Sequence, residues 1–362
     1  MKCRILLIGM SNVLGGIEVY CFNLIKNKLD NFLIDVLFFE DQKLPFEDEL
    51  IKMNVNILRI CSRRKNFIKS REDFIKILQN NHYDIIHYHI MSYSWFDPIL
   101  LASKYSKAKI IVHSHTSNLS GVKNKIMNFF GKRMVSKISF YKAACGNDAG
   151  KYMFKDGFNL FYNGIDIDKY KFDLEKRKKI RDSLNIDEDT IVYGLVARLT
   201  KQKNILFLID IFNEIKKLNS NSKFILIGDG NLKNIISKYI CILNLNDSFI
   251  LLGRKDNVYD YLSSFDVFVM PSLFEGFSIS LIEAQTNGLK CYVSSNVDCN
   301  LNICGNVSFI SLKQSPFEWA SKIINSNNLR DVEAYKKIYE NFDISRSYNK
   351  VYEYYLELIK GE

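Results

Sequence analysis

Short apolar runs alternate with amphipathic stretches along almost the whole chain. Between the runs, segments such as residues 204–218 repeat apolar positions at the spacing of one helix face. Buried strands that alternate with helices are typical of βαβ units and a parallel, doubly wound sheet. The predicted strands cover residues 3–9, 33–39, 84–87, 109–113, 139–145, 190–197, 223–228, 248–252, 266–270 and 290–294.

The pattern breaks once, at the charge-dense residues 169–189, and restarts at residue 190. A chain of 362 residues is long enough for two domains. We therefore predict an α/β protein whose two doubly wound, Rossmann-like domains, residues 1–168 and 169–340, face each other across a cleft. Ligands of such sheets bind outside the carboxyl ends of the strands, so the residues that follow each strand are the candidates for chemistry.

The composition is that of a chain that can bury large cores. Hydrophobic residues make up 47% of it, which excludes general disorder. The eight cysteines form no C-x-x-C pair and show no zinc-ligand spacing, so we interpret them as reduced, mostly buried thiols of a cytoplasmic protein. The apolar stretch at residues 85–101 is interrupted by polar residues and a proline and does not predict a membrane span. The apolar run at residues 5–8 is too short for a signal peptide and fits a buried strand.

The positive charge is concentrated in one segment. The formal net charge is +10, and residues 98–147 carry nine Lys or Arg and no Asp or Glu. Such a local field indicates an anionic partner, namely lipid headgroups, a phosphorylated substrate or nucleic acid. No nucleic-acid-binding motif accompanies the charge, so nucleic acid is not an expected partner.

Two turns in the first half attract attention because they follow predicted strands. Gly15 and Gly16 open a helix after the first strand, where backbone N–H groups can approach a ligand; a plain tight turn is the alternative. His113 and His115 end a later strand on the same side, so at most one is expected to reach the cleft. The alternative for either histidine is a satisfied structural residue.

The second half carries a candidate phosphate clamp. The strand at residues 190–197 ends in Arg198, and Lys203 follows just before the next helix. Arg binds phosphate bidentately, Lys adds a compact charge, and both stand beside a helix N-terminus. A solvated basic loop is the alternative. Two further turns, with Gly228 and Arg254, are weaker signals of the same kind.

The segment 274–284 reads Phe-Glu-Gly-Phe-Ser-Ile-Ser-Leu-Ile-Glu-Ala. Glu275 is predicted to project from the loop, Ser278 to cap a helix, and Glu283 to lie one turn inside it. Free N–H groups at residues 277–280 would point into the cleft. A loop carboxylate with free amides suits sugar hydroxyls, and a helix carboxylate suits a ribose diol. An ordinary loop acid and an exposed helix acid are the alternative.

Taken together, these residues resemble the signature of retaining GT-B glycosyltransferases of family 4, in the branch that builds capsular and exopolysaccharides. The spacing of Glu275 and Glu283 carries most of the resemblance, and Arg198 with Lys203 looks like the donor-diphosphate pair. The match spans residues 4 to about 322. It implies the GT-B fold and a last helix, within residues 341–362, that crosses back onto the N-terminal domain.

The resemblance also implies roles for single residues. Glu283 would hold the donor ribose, Glu275 would contact the transferred sugar, and His115 would sit near sugar and acceptor. The implied catalytic residues are His115, Glu275, Arg198 and Lys203, and the implied donor-binding residues are Gly15, Gly16, Arg198, Lys203, Gly228, Arg254, Glu275, Gly276, Phe277, Ser278, Ile279 and Glu283. No metal and no other cofactor is expected, because the family is generally metal-independent and the cationic clamp replaces the ion.

The implied reaction is transfer of a hexose or amino sugar, with retention, from a nucleotide sugar to a lipid-linked glycan in capsule, exopolysaccharide or O-antigen synthesis. A UDP-sugar is the expected donor, and a polyprenyl-diphosphate-linked glycan is the expected acceptor. The alternatives are a GT-B nucleotide-sugar epimerase, which needs no acceptor, and a non-catalytic partner that binds a nucleotide sugar.

The acceptor would be presented at a membrane surface. Residues 122–137 interleave apolar and basic side chains and predict an interfacial helix, which would hold a cytoplasmic enzyme peripherally on the inner face of the cell membrane. The alternative is that the apolar residues face the domain core and the lysines are merely solvated.

Overall fold

The computed structural model describes residues 2–39, 42–119, 121–275, 277–327 and 329–361. The chain forms two compact units. The N-terminal unit comprises Met1–Gly164 and Ile344–Glu362, and the C-terminal unit comprises Ile165–Asp343. The boundaries expected from the sequence lie at residues 168 and 340, within four residues of these.

The N-terminal unit is a seven-stranded parallel sheet with helices on both faces. Its strand order is β3-β2-β1-β4-β5-β6-β7. The strands are β1 (Cys3–Ile8), β2 (Phe32–Phe38), β3 (Asn56–Arg59), β4 (Ile85–Ile90), β5 (Lys109–Ser114), β6 (Tyr141–Ala144) and β7 (Asn159–Leu160). The helices are α1 (Gly16–Lys26), α2 (Glu47–Lys52), α3 (Phe67–Asn80), α4 (Asp97–Tyr105), α5 (Val122–Met134) and α6 (Asn147–Phe154), with a 3₁₀ turn at Tyr93–Trp95.

The C-terminal unit holds a six-stranded parallel sheet in the order β10-β9-β8-β11-β12-β13. Its strands are β8 (Ile191–Val196), β9 (Ser222–Ile227), β10 (Phe249–Gly253), β11 (Val267–Met270), β12 (Lys290–Ser294) and β13 (Val307–Ile310). Its helices are α7 (Ile167–Tyr170), α8 (Leu174–Ser183), α9 (Ile205–Leu218), α10 (Lys233–Ile242), α11 (Val258–Ser264), α12 (Ile279–Thr286), α13 (Pro316–Ile324) and α14 (Tyr335–Phe342), with 3₁₀ turns at Lys201–Lys203 and Cys299–Leu301.

The last helix, α15 (Ile344–Lys360), belongs to the N-terminal unit. Its sequence repeats tyrosines and aliphatic residues on one face, and that face joins the core between α1 and the sheet. The hydroxyl of Tyr352, for example, donates a hydrogen bond to the carbonyl of Leu24 in α1 at 2.6 Å.

Both sheets are buried because their strands are apolar on both sides. In β1, Ile5 and Leu7 face the core shared with α1 and α15, whereas Leu6 and Ile8 face the opposite core with α3 and α4. This two-sided burial is what the uninterrupted apolar runs predict.

Three strands escaped the sequence analysis. β3 and β13 have only four residues each with mixed burial, and β7 has two. Such short segments at sheet edges carry too little periodicity to be recognised. The cysteines agree with the expectation of free, mostly buried thiols: all eight are free and five are buried, whereas Cys241 and Cys299 are exposed and Cys61 is partly exposed.

Candidate active site

Three loops meet at the carboxyl edge of the C-terminal sheet. The loop after β8 is tied to the loop after β9, because the N–H of Leu199 donates to the carbonyl of Asp229 at 2.9 Å. The same loop is tied to the β11–α12 loop, where the N–H of Leu273 donates to the carbonyl of Gln202 at 2.8 Å and the Gln202 side chain donates to the carbonyl of Phe274 at 2.9 Å. The candidate residues Arg198, Lys203, Gly228 and Glu275 therefore stand on one braced edge.

Gly228 is needed for this bracing. Its φ is +143°, and a Cβ at this position would lie 1.9 Å from the carbonyl oxygen of Ala197. Only glycine allows the two strand ends to approach so closely. Close packing of the two strand ends thus explains why residue 228 is a glycine. The predicted contact of Gly228 with a donor stays a prediction.

The central contact of this edge is an ion pair between two predicted catalytic residues. Lys203 Nζ lies 2.8 Å from Glu275 Oε1, and the two side chains are only 15% and 5% exposed. Glu275 was expected to project from its loop; this detail is wrong, because its side chain turns inward to meet Lys203. A buried carboxylate needs such a partner.

Arg198, which precedes Lys203 in the same loop after β8, is exposed. Among the described residues it makes no side-chain hydrogen bond or ion pair, so its guanidinium donors remain available to a ligand. An exposed cation of this kind can receive an anionic group without first breaking another contact.

Glu283 lies on α12 and faces a different partner. Burial raises the pKa of its carboxyl to about 7, and the hydrogen bond from the Tyr170 hydroxyl opposes that rise. The carboxyl is therefore poised between its neutral and ionised forms near neutral pH. It is not the exposed helix acid of the alternative interpretation.

The start of α12 is not capped by a side chain. Ser278 occupies the N-cap position, but its hydroxyl contacts Met270 Sδ at 3.3 Å instead of the helix amides. The predicted cap is wrong in this respect. Ile279 is the first helical residue, Phe277 stacks on Phe342 with ring centroids 5.8 Å apart, and Gly276 lies outside the described residues.

Arg254 stands at the end of β10. Its side chain is 64% exposed, and its Nε lies 3.8 Å from a carboxylate oxygen of Asp256. A pair this long and this exposed holds the arginine weakly. The side chain is therefore available for a ligand contact.

In the N-terminal unit, Gly15 and Gly16 begin α1. Gly15 is the N-cap in an extended conformation, and a Cβ on Gly16 would meet nothing within 4 Å. A Cβ on Gly15, in contrast, would lie 2.9 Å from Glu18 Oε2. The open space at Gly16 is what the predicted approach to a ligand requires. Glu18, four percent exposed, accepts hydrogen bonds from the N–H and hydroxyl of Ser11 and holds the preceding loop.

His115 is not an isolated residue but one of four histidines on β4 and the end of β5. His89 Nδ1 lies 2.9 Å from His115 Nε2, and His87 Nε2 lies 3.2 Å from His113 Nδ1. Burial lowers the pKa of His87 and of His115 to about 3, and lowers that of His89 and His113 well below the usual value. Sequence reasoning missed His87 and His89, although the repeated His-x-His spacing was visible.

No helix within the described ranges is both long and apolar enough to span a bilayer.

The sequence matches two known families in succession. Residues 14–169 match the family Glycosyltransferase Family 4, and residues 176–343 match the family Glycosyl transferases group 1. Together the two matches take up most of the chain.

Three curated relatives align over most of their length. A putative glycosyltransferase, EpsF of Bacillus subtilis, is 27% identical over 85% of this chain and 84% of its own length. The capsular polysaccharide biosynthesis glycosyltransferase CapH of Staphylococcus aureus is 27% identical over 85% and 86%. The UDP-Gal:alpha-D-GlcNAc-diphosphoundecaprenol alpha-1,3-galactosyltransferase of Escherichia coli is 26% identical over 81% and 80%.

The fold is that of solved GT-B enzymes. The crystal structure of Anabaena HepE with UDP-glucose superposes with a TM-score of 0.78, covering 97% of this chain and 98% of that one at 17% identity. The predictions of family and fold are thus confirmed. The chain belongs to the GT-B glycosyltransferases of family 4, with a family 4 domain followed by a group 1 glycosyl transferase domain.

Proposed function

We propose that this glycosyltransferase moves a hexose or amino sugar from a UDP-sugar to a lipid-linked glycan, with retention of the anomeric configuration, in capsule, exopolysaccharide or O-antigen synthesis. The names of CapH and of the Escherichia coli galactosyltransferase support the pathway and the lipid diphosphate acceptor, and the UDP-glucose bound to HepE supports the donor.

The observation that carries the proposal is the braced edge around Lys203 and Glu275. An ammonium group has three N–H donors, so Lys203 can keep Glu275 and still donate to a phosphate oxygen. Glu275 then orients the lysine and offers carboxylate oxygens to sugar hydroxyls. Arg198, exposed in the same loop as Lys203, would bind the same diphosphate bidentately.

This arrangement suits the departure of a nucleoside diphosphate. Negative charge grows on the bridging oxygen as the glycosidic bond breaks, and Arg198 and Lys203 would stabilise that charge. We propose that the acceptor hydroxyl attacks from the same face, with a phosphate oxygen of the leaving group as the base, so that no protein nucleophile is needed. Attack from that face retains the configuration of the sugar.

The remaining candidates would position the donor. Glu283, as a carboxylate, would accept hydrogen bonds from the ribose diol, and the uncapped start of α12, with Phe277, Ser278 and Ile279, would offer amide donors. Gly276 belongs to the same prediction. Contacts of Gly15, Gly16, Gly228 and Arg254 with the phosphates remain part of the proposal.

His115 would lie near the transferred sugar. Because burial keeps its pKa at about 3, the ring is neutral at physiological pH and can donate or accept a hydrogen bond but brings no charge. No metal is required in this scheme, because Arg198 and Lys203 would stabilise the negative charge of the leaving diphosphate.

The helix α5 supports a membrane-bound acceptor. It docks on the domain through Asn128, whose side chain accepts from the N–H of Tyr93 at 2.7 Å, and through Gly131, where a Cβ would lie 1.8 Å from the carbonyl oxygen of Tyr93. These are the two buried residues of the helix. A surface helix normally docks by its apolar face, and α5 docks by its small and polar one.

The apolar face of α5 is therefore turned outward. Val122, Ile126, Phe129, Phe130 and Met134 are between 51% and 75% exposed. Basic residues are interleaved with this stripe or follow it in the sequence: Lys123, Lys125, Lys132, Arg133 and Lys137. An exposed apolar stripe interleaved with basic residues suits insertion into the headgroup region of an anionic leaflet, where each cation contributes about 1 kcal/mol. We propose peripheral binding to the inner face of the cell membrane.

The test is product analysis with a panel of nucleotide sugars. The purified protein is incubated with each donor, with and without a polyprenyl-diphosphate-linked N-acetylhexosamine, and products are identified by mass spectrometry and by the anomeric coupling constants. Transfer from a UDP-sugar to give the α-linked product supports the proposal. Turnover of a UDP-sugar to its epimer without acceptor would indicate an epimerase, and binding without turnover would indicate a non-catalytic partner.

A further inference from the structure

Four of the chain's five histidines form one block in the N-terminal unit. Side chains alternate along a strand, so His87 and His89 share one face of β4, and the parallel register sets His113 opposite His89. His115 follows β5 with its ring against His113, at a centroid distance of 4.3 Å. The ring of Tyr20 from α1 closes the block, at 4.9 Å from that of His113.

Hydrogen bonds within the block leave several polar atoms without a partner. Besides the two histidine pairs described above, His87 Nδ1 is bonded to the Tyr355 hydroxyl at 2.5 Å. Over the described part of the chain, His89 Nε2, His113 Nε2 and the Tyr20 hydroxyl are buried and have no hydrogen-bond partner. Buried polar atoms are rarely left so. His89 Nε2, the free nitrogen of a ring whose Nδ1 is already bonded to His115, therefore indicates a missing ligand.

The chemistry of the block selects the kind of ligand. Its members are neutral imidazoles, because burial lowers their pKa values, and neutral imidazole is the form that binds metal. Imidazole nitrogens suit zinc, copper and nickel, whereas calcium and magnesium prefer oxygen ligands.

The spacing of the nitrogens fits a single ion. One ring nitrogen from each of His87, His89 and His113 lies within 4.8 Å of the others. His87 Nε2 and His113 Nδ1 are 3.2 Å apart, and two nitrogen ligands of one tetrahedral zinc are about 3.3 Å apart when each bond is about 2.0 to 2.1 Å. The rings of His87 and His89 are stacked, with centroids 4.2 Å apart and planes 29° from parallel, so the third nitrogen reaches a shared ion only if the His89 ring turns.

The hydrogen bonds around these histidines are of the kind that orients the ligands of a metal ion. Ligating histidines usually donate their other N–H to an acceptor, which fixes tautomer and orientation. Here His87 Nδ1 can donate to Tyr355, and His89 Nδ1 can donate to His115 Nε2. We propose that His87, His89 and His113 bind one divalent transition-metal ion of the zinc type, and that this ion fixes the ring of His115 through His89.

This inference does not rest on the proposed transfer reaction. The histidine block lies in the N-terminal unit, whereas the clamp residues Arg198, Lys203 and Glu275 lie in the C-terminal unit. Loss of metal binding and loss of diphosphate binding can therefore be measured separately.

The test uses the full chain without an affinity tag, stripped by a chelator. Zn²⁺ is titrated in competition with a chromophoric chelator, and Co²⁺ is added to a second sample for its visible spectrum. We expect one equivalent of Zn²⁺ and a tetrahedral Co²⁺ spectrum without a thiolate charge-transfer band. A charge-transfer band would assign the metal to cysteine and overturn the proposal, as would the absence of one-to-one binding.

A matched pair of tyrosine variants keeps the fold and separates the outer shell from general packing. Tyr355→Phe removes the acceptor for His87 and should weaken Zn²⁺ binding about 10- to 100-fold. Tyr352→Phe removes a buried hydroxyl of the same helix that bonds the carbonyl of Leu24, and should leave Zn²⁺ affinity unchanged. Equal affinities for both variants and the parent would overturn the proposal.

A second pair addresses the ligands themselves. His113→Gln should abolish the one-to-one site, and His82→Gln, at a histidine whose side chain is 82% exposed, should not. Circular dichroism shows whether each variant is folded. If His113→Gln does not fold, the comparison of Tyr355→Phe with Tyr352→Phe decides whether the proposal holds. Retention of the site in folded His113→Gln would overturn the assignment.

Discussion

At the scale of single residues, the ion pair of Lys203 and Glu275 explains why one clamp cation is buried and the other exposed. Lys203 can be desolvated only because Glu275 balances it, and this pairing lowers its net attraction for a diphosphate. Arg198, which has no such partner among the described residues, must then supply most of the uncompensated charge.

Replacing Arg198 by Ala should therefore lower kcat about 10²- to 10³-fold, as removal of one preorganised donor typically does. Stability should change little, because the side chain is exposed. Steady-state kinetics with the donor found in the panel, together with thermal unfolding, give both quantities.

The matched control is Lys201→Ala, which removes an exposed cation from the same loop. It should leave kcat within about twofold of the parent, since a solvated surface charge contributes little. If both variants lose the same activity, general loop charge is responsible and the clamp assignment to Arg198 is wrong.

The carboxyl of Glu283 should make donor binding depend on pH. With a pKa near 7, it is mostly protonated at pH 6 and mostly ionised at pH 8, and only the carboxylate accepts two ribose hydroxyl bonds. The affinity for UDP should therefore fall up to about 10-fold from pH 8 to pH 6, following the ionised fraction. Calorimetric titration at several pH values measures it.

Glu283→Gln supplies the reference, because the phosphate of UDP titrates equally against both proteins. The variant should bind UDP more weakly at pH 8 and lose the extra pH dependence. The folded-state pKa is raised, so the parent's stability contribution from this carboxyl is greatest below pH 4.5 and is lost as the pH rises through 7. A pH profile identical in parent and variant would remove Glu283 from the ribose site.

Single residues also mark where sequence reasoning stopped. Arg198, Lys203, Glu275 and Glu283 can be named as candidates from the sequence because they follow strands or stand near the start of a helix, which is visible in one dimension. The pairing of Lys203 with Glu275 joins positions 72 residues apart, and no local pattern encodes it. His87 and His89 lie among the polar interruptions of the apolar stretch at residues 85–101, and their alignment with His113 depends on strand register, which the sequence does not show.

At the scale of elements, α5 shows why an amphipathic pattern alone does not fix the side that a helix buries. The pattern predicted a basic amphipathic helix and left both orientations open. The orientation was decided by Asn128 and Gly131, since glycine at position 131 is what lets the helix touch Tyr93. The exposed stripe that results is a feature the structure adds.

Replacing Phe129 and Phe130 together by Ser should reduce binding to anionic vesicles by more than about 10-fold. Each ring inserted into the bilayer boundary removes apolar surface from water, worth roughly 1.5–3 kcal/mol when fully buried. Stability should not fall, because both rings are exposed in the protein. Vesicle co-sedimentation at two salt concentrations measures the apolar and the electrostatic parts.

Ile242→Ser is the control for this prediction. Ile242 ends α10 and is 71% exposed, but it lies in the C-terminal unit. Its replacement should leave vesicle binding unchanged. Equal loss in the two variants, or binding by the parent that does not weaken with salt, would contradict the interfacial role of α5.

At the scale of the whole molecule, the alternation of apolar runs and amphipathic stretches was enough to predict two doubly wound sheets. That alternation does not show which elements make up the N-terminal unit. The core of this unit is completed by α15, which lies more than 300 residues away from β1 along the chain. The periodicity of α15 shows a buried face but not the partner that covers it.

Because α15 packs into the N-terminal core, a core mutation in this helix should destabilise elements at the other end of the chain. Tyr352 is fully buried against Phe32, with ring centroids 4.7 Å apart, so Tyr352→Ala should destabilise the N-terminal unit by about 3–5 kcal/mol. Hydrogen exchange should rise in β1, β2 and α1, although these elements are remote in sequence, while the sheet of the C-terminal unit keeps its protection.

Trp319→Ala is the matching test for the core of the C-terminal unit. Trp319 is fully buried in the C-terminal unit, where its ring meets that of Phe207 at a centroid distance of 6.0 Å. Its loss should raise exchange in β8, β9 and α9 and spare β1 and β2. Equal increases of hydrogen exchange in both sheets, in either variant, would mean that the two cores unfold as one cooperative unit. The assignment of α15 to the N-terminal core alone would then not account for the stability of the chain.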